Sequence, residues 1–195
     1  ILFSRHMSAT YQSAVIASEN IKSEKLHLID CENGAMGQTL LIETAVAMRD
    51  QGLEAGELVE KITSLLPRTM TYIVIDTMEY LKRGGRISKS AALLGGLMKL
   101  HPVLQVVADG AKPVDKVKGK KSCNAWLINK LKEQAPDTDY KLVIGHSNAP
   151  ERAELFKEQL REAGISNEIF ITCIGPVVGT HIGPNCLGIG YIKNV

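Results

Sequence analysis

Four side chains in this sequence have types and positions that suit the binding of an anion. Ser8 and Thr10 come just before an apolar-periodic stretch, where a helix N-terminus would expose backbone N–H groups. Arg86 follows two glycines that end a predicted helix, so its charge is expected to be displayed in a corner. His181 stands in a glycine-flanked turn, where an imidazole can donate a hydrogen bond or exchange a proton near neutral pH.

Each of these residues also has a purely structural interpretation. Ser8 or Thr10 can be a helix N-cap, Arg86 a solvated turn residue, and His181 a histidine satisfied by a nearby carbonyl. His146 follows a predicted strand and is expected to be structural. Taken together, hydroxyls, one histidine, one displayed arginine and several lysines favour the binding of an anionic group over catalysis.

Sequence motifs exclude several classes of enzyme. No G-x-S-x-G, H-E-x-x-H or G-x-x-x-x-G-K-[ST] motif occurs, and no carboxylate pair is spaced for acid–base work. The four cysteines are far apart in sequence, which predicts reduced thiols rather than a zinc site or a disulfide framework: Cys31, Cys123, Cys173 and Cys186. We therefore expect neither a metal nor a cofactor.

Composition and charge point to an ordinary globular protein of 195 residues. The net charge of +2 and the aromatic content of 5% argue against a nucleic-acid binder. Lysines cluster at 112–121, on a predicted edge strand. There they would prevent pairing with strands of other chains, or would bind an acidic partner. No apolar run is long enough to cross a bilayer and no signal peptide is recognisable, so the sequence predicts a cytoplasmic protein. Residues 1–3 resemble the end of a buried strand, and we expect further residues upstream.

The first part of the chain alternates strands with helices. Strands are predicted at 1–3, 26–31 and 72–75, and helices at 11–18, 39–48 and 55–66. This alternation is typical of a parallel, doubly wound sheet.

The stretch at 76–102 is predicted to form one helix that ends at Gly84 and a second that Ser88 caps. A hairpin with an Asp109-Gly110 turn should follow. Helices are then predicted at 123–133 and 150–163, and strands at 141–146, 168–173 and 186–192. A short helical segment should begin at 175–176, followed by a corner at 180–184.

Several motifs, in this order, cover nearly the whole chain. They are SRHMSATYQSA at 4–14, D-x-x-x-x-x-M-G-Q at 30–38, DTMEYLKRGGRISKSAALLG at 76–95, HPVLQVVADGAKPVDKVKGKKS at 101–122, HSNAPERAEL at 146–155 and IGPVVGTHIGPNCLGIGYI at 174–192. With these motifs the sequence resembles the DegV family of fatty-acid-binding proteins, also known as the FakB binding subunits of a fatty acid kinase system.

The resemblance implies an α/β fold of two domains. Residues 1–78 would be the remainder of an N-terminally truncated, doubly wound parallel domain, and residues 79–195 a second α/β domain with a mixed sheet. A fatty acid would lie in a tunnel between them. The chain departs from the family at Ala9, where glycine is usual, and at Cys31, where serine is common.

The resemblance also implies roles for individual residues. Ser8 and His181 would hold the fatty acid carboxylate, and Arg86 would serve kinase interaction and phosphoryl transfer. Lys118, at a position where arginine is frequent, would help to dock the kinase. The resemblance and the leucine-rich pattern make four residues candidates for lining the acyl chain: Leu93, Leu94, Leu97 and Met98.

The expected function is that of a carrier for phospholipid synthesis. It would bind a long-chain fatty acid and present the carboxylate to a separate ATP-dependent kinase, which forms the acyl phosphate. It would bind no nucleic acid, and would contact a membrane surface only transiently. The alternative is a small-molecule kinase that acts on its own, against which the missing nucleotide motif counts.

Overall fold

The computed structural model describes residues 1–87 and 100–195, which form seven α-helices and six strands. The helices are α1 (Thr10–Ile21), α2 (Met36–Asp50), α3 (Ala55–Leu65), α4 (Glu79–Gly84), α5 (Lys120–Glu133), α6 (Pro150–Glu162) and α7 (Pro176–Ile182). The strands are β1 (Thr69–Val74), β2 (His101–Val107), β3 (Gly110–Val117), β4 (Leu142–His146), β5 (Ile169–Cys173) and β6 (Leu187–Ile192).

All six strands join one mixed sheet in the order β3-β2-β1-β6-β4-β5. Strands β4 and β5 are parallel and are connected through α6, whereas the other neighbouring pairs are antiparallel. One row of paired residues crosses four strands: Leu104 on β2, Ile73 on β1, Gly188 on β6 and Gly145 on β4. Leu104 and Ile73 of this row form part of the floor of a cavity.

Both faces of the sheet are covered by helices. Because side chains alternate along a strand, Ile73 joins the apolar cluster with α2, α3, α4 and α7, while Tyr72 and Val74 join the cluster with α5 and α6. Helix α2 lies close to the sheet because the buried Met36 rests on strands that carry glycine at this point.

The predicted α/β class and mixed sheet are confirmed, and so are the hairpin and the helix that ends at Gly84. Gly85 has the left-handed backbone, with φ of 67°, that terminates this helix. The described chain has no helix long and apolar enough to span a membrane.

The structure differs from the sequence predictions in three places. The segments predicted as strands at 1–3 and 26–31 form only one parallel bridge, between Leu2 and Asp30. Strand β1 lies in the mixed sheet, antiparallel to both neighbours, because later strands supply its partners. The corner predicted at 180–184 is helical in its first three residues, because helix α7 continues to Ile182. The domain boundary at 78 stays a prediction.

Candidate functional site

A cavity of about 210 Å³ lies between the sheet and its helices. Its walls come from the loop at 3–8, the first turn of α2, the helices α4 and α7, and strands β1, β2 and β3. Most of its lining side chains are apolar: Phe3, Met7, Ala35, Met36, Ile73, Leu81, Leu104, Val106, Ala111, Val177, Val178 and Ile182. An apolar chain of ligand atoms therefore suits this space.

Among the described residues of the cavity wall, the polar side chains are the four that the sequence singled out: Ser8, Thr10, Arg86 and His181. The structure thus brings together groups that are up to 173 residues apart, as 181 − 8 gives. A cavity with an apolar wall and a few hydrogen-bond donors fits an amphipathic anion.

Ser8 and Thr10 form a local pair at the start of α1. Their hydroxyl oxygens are 2.8 Å apart, and the Thr10 backbone N–H donates to the Ser8 hydroxyl at 3.2 Å. Ser8 therefore assists the helix start as well as bordering the cavity. Its hydroxyl can still donate one hydrogen bond to an anion in the cavity.

His181 lies in the last turn of α7 and packs against α4. Its Nδ1 atom is buried and has no hydrogen-bond partner among residues 1–87 and 100–195. The contact depends on Gly84, because a Cβ at that position would lie only 2.0 Å from Nδ1. The imidazole ring therefore packs closely against α4 and at the same time borders the cavity.

Arg86 is exposed and held by the backbone around it. Its Nε donates to the Met7 carbonyl at 3.2 Å and its Nη1 to the Gly84 carbonyl at 2.7 Å, while its own carbonyl accepts from the Ala111 N–H. Both cavity-bordering segments, the loop at 3–8 and β3, are thus tied to this turn.

Asp30 fixes the loop that carries Ser8. Its carboxylate, of which only 5% is exposed, accepts hydrogen bonds from the Arg5 and Glu32 backbone N–H groups at 3.3 and 3.0 Å and forms an ion pair with the Arg5 side chain. The buried Ser4 hydroxyl donates to the Ala108 carbonyl. A second, more polar cleft borders this loop, and its wall includes Arg5 and Arg86.

Lys118 lies away from the cavity. It is exposed and follows the far end of β3, whose near end at Ala111 pairs with Arg86. The two ends of that strand are about 23 Å apart at roughly 3.3 Å per residue. The structure therefore does not bring Lys118 together with the other predicted residues.

The predicted acyl-lining residues at 93, 94, 97 and 98 lie outside the described residues. The apolar residues that do line the cavity, such as Met36, Ile73 and Leu104, were missed by the sequence analysis. The alternation of β1 and β2 assigns Ile73 and Leu104 to one face, but nothing in the sequence says that this face borders a cavity. His146 is buried at the end of β4 and accepts from the Ala149 N–H, as expected of a structural residue.

Two cysteines near these segments are unsuited to nucleophilic chemistry. Burial raises the pKa of both Cys31 and Cys186 to about 11, so both are protonated thiols at neutral pH. Among residues 1–87 and 100–195, no group of three or more His, Cys, Asp or Glu side chains is arranged to hold a metal ion.

The chain spans about two thirds of the length of the known proteins that it matches. The family model of DegV, described as an uncharacterised protein family, matches residues 1–194. The DegV domain-containing protein YteA of Lactococcus lactis is 35% identical over 200 residues, a match that covers 99% of this chain and 68% of YteA.

Solved structures show the same fold. A fatty acid binding DegV family protein from Streptococcus agalactiae is 25% identical, with a TM-score of 0.83 over 98% of this chain and 67% of that one. The Fatty Acid Kinase (Fak) B3 protein of Streptococcus pneumoniae, loaded with linoleic acid, is 23% identical, with a TM-score of 0.86 over 98% and 70% of the two chains.

Proposed function

The chain belongs to the DegV family, and on that basis we propose that it binds a long-chain fatty acid and presents the carboxylate to a separate ATP-dependent kinase in the cytoplasm. The observation that carries the proposal is the cavity, whose described wall is apolar except for Ser8, Thr10, Arg86 and His181. The relatives with solved structures include proteins described as fatty acid binding.

The apolar wall would supply most of the affinity. Each buried methylene contributes about 0.8 kcal/mol, which is roughly a fourfold gain in affinity. Ser8 and His181 would then orient the ligand by donating hydrogen bonds to its carboxylate. Since both side chains reach the cavity from different elements, the carboxylate would bridge α1 and α7.

The kinase would provide ATP and the phosphoryl group. Arg86 supports this part of the proposal, because it borders the cavity and is exposed to a partner. Lys118 would contact the same partner about 23 Å along β3. A standard interface of about 800 Å² per partner covers such a length. In this proposal the chain itself performs no phosphoryl chemistry.

The binding step is tested by denaturing solvent extraction of the purified protein, followed by mass spectrometry. We expect a stoichiometric fatty acid from the wild type and much less from His181→Ala. The matched control is His27→Ala, which changes an exposed histidine in a different segment and should retain the ligand. An extract without fatty acid, from protein shown to be folded, would refute the proposal.

The kinase step is tested by acyl phosphate formation with a fatty acid kinase and ATP. Arg86→Ala should keep the fatty acid but lose acyl phosphate formation, whereas Arg83→Ala, on the same exposed helix end, should affect neither. Lys118→Glu should weaken kinase docking. If Arg86→Ala instead loses fatty acid while transfer per bound ligand is unchanged, Arg86 contacts the ligand and not the kinase.

A further inference from the structure

The side chain of Met36 closes one end of the cavity. The cavity floor includes Ala111 on β3, Leu104 on β2 and Ile73 on β1, and among the described residues no side chain of β6 or β4 contributes to it. Leu104 and Ile73 belong to one cross-strand row, whose next two positions are Gly188 and Gly145. The floor therefore ends where the row changes from side chains to glycines.

Met36 fills the space that the two glycines leave. A Cβ at Gly145 would lie 2.3 Å from the Met36 Sδ, and a Cβ at Gly188 would lie 2.3 Å from its Cε. The side chain is fully buried and also borders the cavity. It thus occupies a slot that would otherwise continue the cavity floor across β6 and β4, by about 10 Å at the usual strand spacing.

We infer that Met36 determines the length of acyl chain that the cavity accepts. This inference rests on the proposed binding of a fatty acid. A methionine is suited to such a position because its unbranched thioether side chain adapts to irregular space. The terminal methyl group of the ligand would meet the Met36 side chain, while its carboxylate lies near Ser8 and His181.

Two substitutions should change the length preference in opposite directions. Met36→Ala removes the side chain beyond Cβ and opens the slot, which makes room for about three further methylenes. Gly145→Ala places a Cβ against the Met36 Sδ. Because the Met36 Cε already packs against Gly188, the displaced Met36 side chain has to move into the cavity. Gly145 does not have a left-handed backbone, so alanine is compatible with its conformation.

The test is the dissociation constant for saturated fatty acids of increasing length. For the wild type we expect affinity to rise about fourfold per methylene up to one chain length and then level off. Met36→Ala should continue this rise for about three methylenes more, a gain of about 50-fold at the longest chain accepted. Gly145→Ala should level off earlier, and Met36→Leu, of similar volume, should keep the wild-type length.

The outcomes separate this inference from the proposed function. If the wild type binds fatty acids and both variants level off at its chain length, the inference is overturned while the proposed function stands. If the wild type binds no fatty acid of any length, the proposed function fails first. Should Met36→Ala not fold, Gly145→Ala decides alone: an earlier plateau supports the inference and an unchanged plateau overturns it.

Discussion

The contact between His181 and Gly84 allows the candidate site to be perturbed without a substitution at any candidate ligand-binding residue. Gly84 is the last residue of α4, and its backbone is compatible with alanine. On helix propensity alone, Gly84→Ala should stabilise the protein by up to about 1 kcal/mol. We expect the reverse, because the new Cβ would lie 2.0 Å from the imidazole Nδ1.

The size of the effect follows from this distance. Ordinary van der Waals contact begins at 3.4 Å, so the ring must move by 3.4 − 2.0 = 1.4 Å. A hydrogen bond lengthened by that amount is lost. Loss of a hydrogen bond to a charged group costs about 1.5–3 kcal/mol, which is about a 10- to 150-fold weaker affinity for the fatty acid. The crowding itself should lower the free energy of unfolding by about 1–3 kcal/mol.

The assay combines urea unfolding with fatty acid titration. Gly56→Ala is the matched control, since it also lies in a helix but has nothing within 4 Å of its new Cβ, and it should be slightly stabilising with unchanged binding. The double variant Gly84→Ala/His181→Ala relieves the crowding. Its free energy of unfolding should rise above that of Gly84→Ala, while its affinity should equal that of His181→Ala.

Two results would refute this reasoning. If Gly84→Ala is as stable as Gly56→Ala and binds fatty acid like the wild type, the helices do not hold the imidazole as described. If Gly84→Ala is destabilised and the double variant does not recover, the strain lies elsewhere than at His181.

Three further predictions concern the segments around the cavity. Asp30→Asn should lower the free energy of unfolding by about 1–3 kcal/mol and weaken fatty acid binding, because Arg5 loses its charged partner; equal urea midpoints would contradict this. Below pH 9 the Cys31 thiol is protonated in both states, but its raised pKa of about 11 means that unfolding becomes easier from pH 9 to 11, by about 2 kcal/mol at pH 11. Cys31→Ala should flatten this alkaline loss and exposed Cys173→Ala should not, as measured by urea unfolding at each pH. Ala35→Gly should raise the free energy of unfolding by about 1 kcal/mol, since Ala35 has a φ of 47° that glycine adopts freely; a loss of stability in urea would argue against this backbone.

Local signals in the sequence predicted most of the elements. Helical periodicity, the glycines at 84–85 and the Asp109-Gly110 turn are short-range features, and the structure confirms what they predicted for the described residues. The second helix, which Ser88 was predicted to cap, lies outside the described residues. Strand partners were harder to predict, because one neighbour of β1 is β6, the last strand along the chain, and no local pattern indicates so distant a partner.

The polar part of the site was predictable and the apolar part was not. Ser8, Arg86 and His181 stand in unusual local settings, so residue type and neighbours were enough to select them. Met36 precedes the helix predicted at 39–48 and was assigned no role in the site, since its role depends on two glycines more than 100 residues away that pair only in the folded sheet. A cavity depends on how several segments pack together, and no single segment of the sequence predicts that packing.

The order of strands has a consequence for how the protein is made. Strand β6 is the last of the six to be synthesised, yet it lies between β1 and β4 near the middle of the sheet. Its nearest pairing with β1 joins Val74 to Leu187, a separation of 187 − 74 = 113 residues. Before β6 is synthesised, strands β3-β2-β1 and strands β4-β5 therefore form two half-sheets that are not joined. Contacts of such long range also form slowly.

Until β6 inserts, the edges of β1 and β4 that it later covers are open to other strands. The nascent protein is therefore expected to be a client of chaperones during this interval. Deleting residues 187–195 should leave a chain that aggregates on release, as measured by its sedimentation after translation in vitro. A truncated chain that remained dispersed and monomeric would show that the two half-sheets are stable without their central strand.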